Sequence, residues 1–250
     1  MTRISVCMAV YNGEKYIRQQ LDSILMQLGA DDEVIVSDDD STDRTLAVVE
    51  EIGDRRIKVY HHHKMPQTFH LDYTTRNYEN ALMQTTGDYV FLSDQDDVWL
   101  PGRVDRMVME LQHAMLCLSD CYVGDENLNV EHKSYFDEVG MRVGVWKNIV
   151  RQTMLGCCMA FRRELLDVAL PFPPTKVGHD LWLAMMATHY YNVSCIRLPL
   201  SIYRRHSHAV TTSGKASSFS LHFKIYYRLF IVQAYIKKVF QYKFTTNRKR

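Results

Sequence analysis

Short apolar runs that each stop dead in a polar cluster constrain this chain more than any other feature. Residues 4–10 (Ile-Ser-Val-Cys-Met-Ala-Val) end at Tyr11-Asn12-Gly13, residues 33–37 end at Asp38-Asp39-Asp40, and residues 88–93 end at Asp94-Gln95-Asp96-Asp97. Runs this short, closed by turn residues, read as buried strands. Between them the apolar spacing turns helical. Tyr16, Ile17, Leu21, Ile24, Leu25 and Leu28 mark a helix within 14–28 that Gly29 can end, a second helix runs to about Ile52, and 77–84 has helical spacing after a third strand at 56–61. Strands alternating with helices predict an α/β fold: a Rossmann-like, mainly parallel open sheet with flanking helices. Ligands of such sheets gather at the carboxyl ends of the strands, where the polar clusters lie.

Beyond residue 100 the pattern weakens. A helix is expected at 103–115, a broken region to 147, a strand at 154–161, a helix at 180–189 and a strand at 193–197. These limits divide the chain into a nucleotide-binding half (1–100), an acceptor-binding and catalytic half (101–214) and a basic amphipathic, helical C-terminal tail (215–250). With 46% hydrophobic and 24% charged residues the composition is that of a globular protein. Neither a transmembrane helix nor a signal peptide is expected, because no uncharged apolar stretch is long enough and Met1-Thr2-Arg3 leads straight into a strand. The six cysteines contain no CxxC pair, so reduced thiols are expected and a zinc site is not.

The net charge of +1 conceals a segregation: nine of the 30 Lys and Arg lie in residues 215–250 with no acid, leaving 21 basic against 29 acidic residues before them. An acidic body with a basic tail suits an anionic membrane surface at the C-terminus, and offers little to nucleic acid. Lys224, Arg228, Tyr235 and Lys238 fall on one stripe of a helix otherwise rich in Phe, Tyr, Ile and Val. That composition fits an interfacial helix, or one packed on the body or on a second copy.

The acids invite a cation. Mg²⁺ and Mn²⁺ prefer oxygen ligands and commonly sit between one or two carboxylates and the phosphates of a substrate, and a D-x-D spacing at a strand end brings two carboxylates to one volume. The plainer alternative is an acidic loop capping the next helix. At 38–43, likewise, Asp40 or Ser41 can cap a helix while the other acids suit its positive end. The first loop, Ala9-Val10-Tyr11-Asn12-Gly13-Glu14, lacks the glycine patterns of dinucleotide and P-loop sites, so bound phosphates would need a metal rather than a nest of backbone amides. Tyr11 offers a ring on which a base can stack.

Taken in order, residues 5–13, Val36-Ser37-Asp38-Asp39-Asp40-Ser41-Thr42-Asp43, Asn77-Tyr78-Glu79-Asn80-Ala81-Leu82, Gly87-Asp88-Tyr89-Val90, Ser93-Asp94-Gln95-Asp96-Asp97-Val98-Trp99 and Gly178-His179-Asp180-Leu181-Trp182-Leu183-Ala184 resemble the family 2 glycosyltransferases of the GT-A fold. The Asp-Gln-Asp-Asp-Val-Trp and His-Asp-x-Trp-Leu forms are most similar to the rhamnosyltransferase-like branch of bacterial polysaccharide biosynthesis. The resemblance spans about residues 3–210. It implies an inverting transfer from a UDP- or dTDP-linked sugar to a hydroxyl of a growing, lipid-linked cell-surface polysaccharide, at the inner face of the cell membrane. It also implies roles: Ala9, Tyr11 and Asp38 for the pyrimidine base, Asp94 for the ribose and metal region, Asp96 for Mg²⁺ or Mn²⁺, and Asp180 as the catalytic carboxylate.

A carboxylate in that place would take the acceptor's hydroxyl proton as its oxygen attacks the anomeric carbon. Alternatively, Asp180 is a helix cap. Most members carry Glu-Asp where this chain has His179-Asp180. Tyr203-Arg204-Arg205-His206 resembles a late element that approaches the diphosphate, with His206 either a metal ligand or a surface histidine. Gly156-Cys157-Cys158 reads equally as a small-residue segment beside the donor sugar or as a strand with buried thiols. His61-His62-His63 and His70 look like a metal tract, but the triplet follows a strand without a fixed acid partner and reads more simply as a solvated loop. Two rivals remain: a sugar-phosphate nucleotidyltransferase, whose glycine-rich, Arg-containing first loop is missing here, and a relative that binds nucleotide-sugars without catalysis.

Overall fold

The structure, a computed structural model, describes residues 2–67, 69, 71–206 and 220–247, with side chains of the last helix to Lys243. The elements run β1 (Ile4–Val10), α1 (Ile17–Leu25), β2 (Glu33–Asp38), α2 (Thr45–Ile52), β3 (Ile57–His61), α3 (Leu71–Met83), β4 (Tyr89–Asp94), β5 (Val98–Trp99) and α4 (Arg103–Leu111). They continue with β6 (Leu116–Gly124), β7 (Val130–His132), α5 (Tyr135–Val139), α6 (Val145–Val150), β8 (Met159–Arg162), α7 (Leu166–Ala169), α8 (His179–Tyr190), β9 (Val193–Arg204) and α9 (Leu221–Asn247). His70 and the boundary near residue 214 lie outside the described residues.

One sheet carries the fold, ordered β3-β2-β1-β4-β8-β6-β9-β5 with β7 beside β6. β1 pairs in parallel with both β2 and β4, and β2 with β3, so the chain crosses from one side of β1 to the other. That reversal opens a crevice at the carboxyl ends of β1, β2 and β4. Alternate residues of β1 feed opposite faces. Val6, Met8 and Val10 join α1, α2 and α4 in one core, and Cys7 joins α3, α6, α8 and α9 in the other. Both faces are covered, which is why these strands are continuous apolar runs.

The second half departs from the sequence reading. The region expected to be broken holds β6, nine residues in the middle of the sheet. Its pattern is interrupted by Ser119 and Asp120, yet both are buried. Asp120 accepts hydrogen bonds from Ser134 Oγ (2.5 Å) and the Phe136 amide (3.0 Å). The expected strand at 154–161 is a 3₁₀ turn at Gly156–Cys158 followed by β8, antiparallel to β4 and β6. The last strand continues to Arg204, well past residue 197.

The tail helix belongs to the core. Ile231 and Tyr235 are buried, Arg228 donates to the Val150 carbonyl (2.6 Å), Lys238 to the Leu170 carbonyl (2.7 Å), and the Tyr235 hydroxyl meets His189 Nδ1 (2.6 Å). The stripe of Arg228, Tyr235 and Lys238 therefore faces the protein, as the packing alternative required. No described helix is long and apolar enough to cross a membrane.

Candidate active site

The register of the parallel strands sets the crevice. Ala9 lies opposite Asp94 on one side and Ser37 on the other, and Val10 opposite Asp38. Asn77 and Asn80 of α3 tie strand ends down, donating to the Val10 carbonyl (3.2 Å) and to Ser37 Oγ (2.8 Å). Asn12 sits at a positive φ of 48°, and its amide oxygen accepts from the Thr42 amide (2.8 Å) while its own amide donates to Ser41 Oγ (2.9 Å). Ser41 is thus spent on the first loop, and the helix after it begins at Thr45, whose amide donates to Asp43 (2.9 Å). Neither Asp40 nor Ser41 caps this helix: Arg44 precedes it with no side-chain cap bond, because the loop runs on to join β1 before the helix starts.

Asp38 accepts from the Ser41 amide through Oδ2 (3.1 Å), while its buried Oδ1 has no partner among the described residues. Tyr11 is 43% exposed, with Lys64 Nζ 3.4 Å from its ring centre. Its amide donates to Gln95 Oε1 (2.9 Å) and its carbonyl accepts from Gln95 Nε2 (3.0 Å), so the residue between the two aspartates clamps the first loop. A Cβ on Gly13 would lie 2.5 Å from that same Gln95 oxygen. Of the histidine tract, His62 pairs with Asp39 (2.8 Å).

Beyond β4 the acids separate in role. Asp94 accepts from the Tyr78 hydroxyl (2.7 Å), and burial followed by the charge of Asp96 pushes its pKa up to about 7. Asp96 pairs with His206 Nε2 at 2.8 Å, and its charge is the strongest acting on Asp94. A tight group is Asp94, Asp97 and Cys157, with one ligand atom from each within 4.8 Å of the others. Asp97 is buried, accepts from the Arg204 amide (2.9 Å) and leaves Oδ2 without a hydrogen-bond donor among the described residues other than the neighbouring Cys157 thiol; burial, then Asp96 and Asp94, push its pKa up. Acids crowded this way, with an oxygen left over, are chemically suited to a hard divalent cation.

Arg204 does not project into the crevice. Its guanidinium donates to the carbonyls of Asp96 (2.6 Å) and Glu126 (2.6 Å) and to Gln19 (2.7 Å), and Arg205 pairs with Glu138 (2.9 Å), so both arginines hold the loop in place. Within that element the Arg204 amide bonds Asp97, and the side chain that meets Asp96 is His206.

Across the crevice, α8 begins at His179 with Gly178 before it, so Asp180 stands in the first turn and is not the cap. Gln152 Nε2 donates to Asp180 Oδ2 (2.5 Å). The His179 ring stacks on Tyr78 with centres 3.9 Å apart, and burial lowers its pKa against the opposing pull of Asp180. A Cβ on Gly156 would lie 3.0 Å from His179 Nε2 and 3.2 Å from Asp180 Cβ, so the small-residue segment adjoins the crevice while its thiols are buried. The charges of Asp96 and Asp180 both act on Asp94 and raise its pKa. Gln95, Lys64 and Gln152 were not singled out from sequence. Each acts through a contact distant in the chain, and none carries a local signal.

The profile of "Glycosyl transferase family 2" matches residues 5–169. A UDP-Glc:α-D-GlcNAc-diphosphoundecaprenol β-1,3-glucosyltransferase of Escherichia coli is 27% identical over 77% of this chain and 72% of its own length. A dTDP-rhamnosyl transferase of Shigella flexneri is 27% identical over 80% of this chain and 71% of its own. Among solved structures, Staphylococcus aureus TarS in complex with UDP-GlcNAc superposes with a TM-score of 0.65 at 23% identity, over 86% of this chain and 62% of that one. A Pyrobaculum calidifontis mannosyltransferase, solved with GDP-Man and Mn²⁺, covers 96% of this chain and 64% of its own at a TM-score of 0.56 and 23% identity. This chain therefore spans somewhat less than two thirds of those solved chains. The profile covers most of the sequence and the fold agrees with it: the chain belongs to glycosyl transferase family 2, with the GT-A fold.

Proposed function

We propose that this chain transfers a sugar, with inversion, from a UDP- or dTDP-linked donor to a hydroxyl of a lipid-linked saccharide at the inner face of the cell membrane. The observation that carries the reading is the convergence of Asp38, Asp94 and Asp96 on one sheet edge, with the charge of Asp180, on α8, acting on Asp94. Ala9, Tyr11 and the buried Oδ1 of Asp38 suit a pyrimidine base, and Asp94 the ribose. Residues 1–100 are thereby given to the nucleotide, and the segment from 101 onward, which carries Gln152 and Asp180, to the acceptor.

Asp96 and His206, already 2.8 Å apart, would hold Mg²⁺ or Mn²⁺. When bound, such an ion would offset the negative charge of the leaving diphosphate. Asp180 would accept the acceptor's hydroxyl proton, and the amide of Gln152 fixes the orientation of its carboxylate. Tyr78 connects the two sides, bonded to Asp94 and stacked under His179.

The test is a thermal-shift screen of UDP- and dTDP-sugars with and without Mn²⁺, followed by transfer assays with the stabilising donor. A ligand that binds only the folded state raises the melting temperature. A metal-dependent rise with one donor class is expected. No rise with any donor would remove the donor reading, and binding without hydrolysis or transfer would favour the non-catalytic relative.

A further inference from the structure

With the inner stripe of α9 packed on the body, its outer face is bare. Leu221, Ile225, Leu229, Ile236 and Phe240 are 74, 51, 64, 45 and 59% exposed, and their spacing sets them on one side of the helix. α6 lies alongside. Arg228 reaches the Val150 carbonyl and Tyr235 meets the Trp146 ring edge-on at 6.0 Å, while Trp146 and Val150 themselves are 60% and 64% exposed. The two neighbouring helices thus leave several large apolar side chains exposed, the kind of surface that marks an interaction site.

Charge decides what covers it. Residues 140–163 and 215–250 contain no acid at all. Arg142, Lys147 and Arg151 are exposed around α6, and Lys237 and Lys243 are exposed beside Phe240. A second copy docking through this face would bring the exposed Arg142, Lys147, Arg151, Lys237 and Lys243 of one copy towards those of the other. An anionic lipid surface answers every one, and takes up the tryptophan and the aliphatic side chains at the level of its headgroups.

The face also adjoins the acceptor side of the crevice. α6 ends at Val150, two residues before Gln152, which holds Asp180. We propose that α6 and α9 form a docking face for anionic bilayers, with Trp146, Ile225, Leu229, Ile236 and Phe240 entering the interface and Asp180 held at its border. The proposal draws on the lipid-linked acceptor for its purpose, but its test involves no sugar transfer, so either can fail alone.

Trp99 and Trp182 are buried, which leaves Trp146 as a local reporter among the three tryptophans. Full-length protein is mixed with vesicles of phosphatidylcholine alone or with an equal share of phosphatidylglycerol, at low and high salt. The expected result is co-sedimentation and a blue shift of tryptophan emission with the anionic vesicles, both reduced by salt as charge screening shortens. The double variant Ile225→Glu/Leu229→Glu should lose about tenfold or more of the binding, and Met83→Glu, an equal change at a site 69% exposed on α3, should lose none. An unchanged far-UV circular dichroism spectrum and melting transition show that each variant is folded. Wild-type protein that neither pellets nor shifts its emission overturns the proposal, as does pelleting that the double variant leaves unchanged. A dimer that the double variant converts to monomer, without vesicle binding, assigns the face to a second copy instead.

Discussion

Carboxylates stand at both ends of the same parallel strands, and the two ends treat them oppositely. At the amino end, Glu33 is buried yet accepts from Ser5 Oγ (2.6 Å), the Thr86 amide (2.8 Å) and hydroxyl (2.7 Å), and Lys58 Nζ (2.6 Å). Burial pushes its pKa up, but those donors more than reverse this and hold it at about 2. At the carboxyl end, Asp94 has one hydroxyl donor and is pushed up to about 7, Asp97 keeps a buried oxygen with no donor among the described residues but the Cys157 thiol, and Asp38 one with none. One end is finished by the protein itself. The other is left for something else to complete, and electrostatic cost of that kind commonly marks a functional site.

The largest effect expected from breaking this contrast is on chemistry. Asp180→Asn should lower transfer by on the order of 10² to 10⁴, the usual worth of a general base, while donor binding stays roughly intact. Steady-state kinetics beside calorimetry separate the two, and near-wild-type turnover would remove Asp180 from the reaction. Next, Asp96→Asn should weaken Mn²⁺-dependent UDP or dTDP binding by at least the roughly 10- to 100-fold that follows loss of a group supporting a metal. Unchanged metal-dependent affinity in the folded variant would reassign the ion, with Asp94, Asp97 and Cys157 as the nearest alternative ligands.

Two smaller effects set the ends directly against each other. Glu33→Gln should destabilise the fold by about 1–3 kcal/mol, because donors arranged for a carboxylate lose their acceptor. Asp97→Asn should raise the melting temperature of the metal-free protein, since it keeps an oxygen for the Arg204 amide and removes a charge from the crowded end. If both substitutions destabilise alike, the contrast is false. The smallest effect is the pH profile of the metal-free melting temperature. Asp94 keeps its proton in the folded state to about pH 7, whereas an unfolded chain releases it near its ordinary value of 3.8, so stability declines from there and the loss is complete above about 7. Glu33 works in the reverse sense: its contribution is present above 4.5 and is lost as pH falls towards 2. A melting temperature that climbs steadily from pH 5 to 8 would contradict the Asp94 half.

Strand ends with acids at them were legible because the signal is local. The runs that became β1, β2 and β4 are apolar over their own length, and the clusters after them are contiguous in sequence. β6 was not legible, since Ser119 and Asp120 break its apolar pattern, and donors at Cys121, Ser134 and Phe136 and the guanidinium of Arg103 make them tolerable inside the sheet. The tail is the converse case. Its helix and its basic stripe could be read, but a helical pattern does not say which stripe meets the body, and backbone carbonyls at Val150 and Leu170 took Arg228 and Lys238.

The sequence by itself determined the α/β alternation, the acidic carboxyl edge and the family, because each rests on residues adjacent or regularly spaced in the chain. Only the tertiary structure decided that Asp96 meets His206 across 110 residues, that Gln152 holds Asp180, and that Gln95 clamps the loop at Tyr11. Such contacts depend on the order in which strands enter the sheet and the depth at which helices dock, and these are set by burial summed over the whole core, which no single stretch of sequence contains.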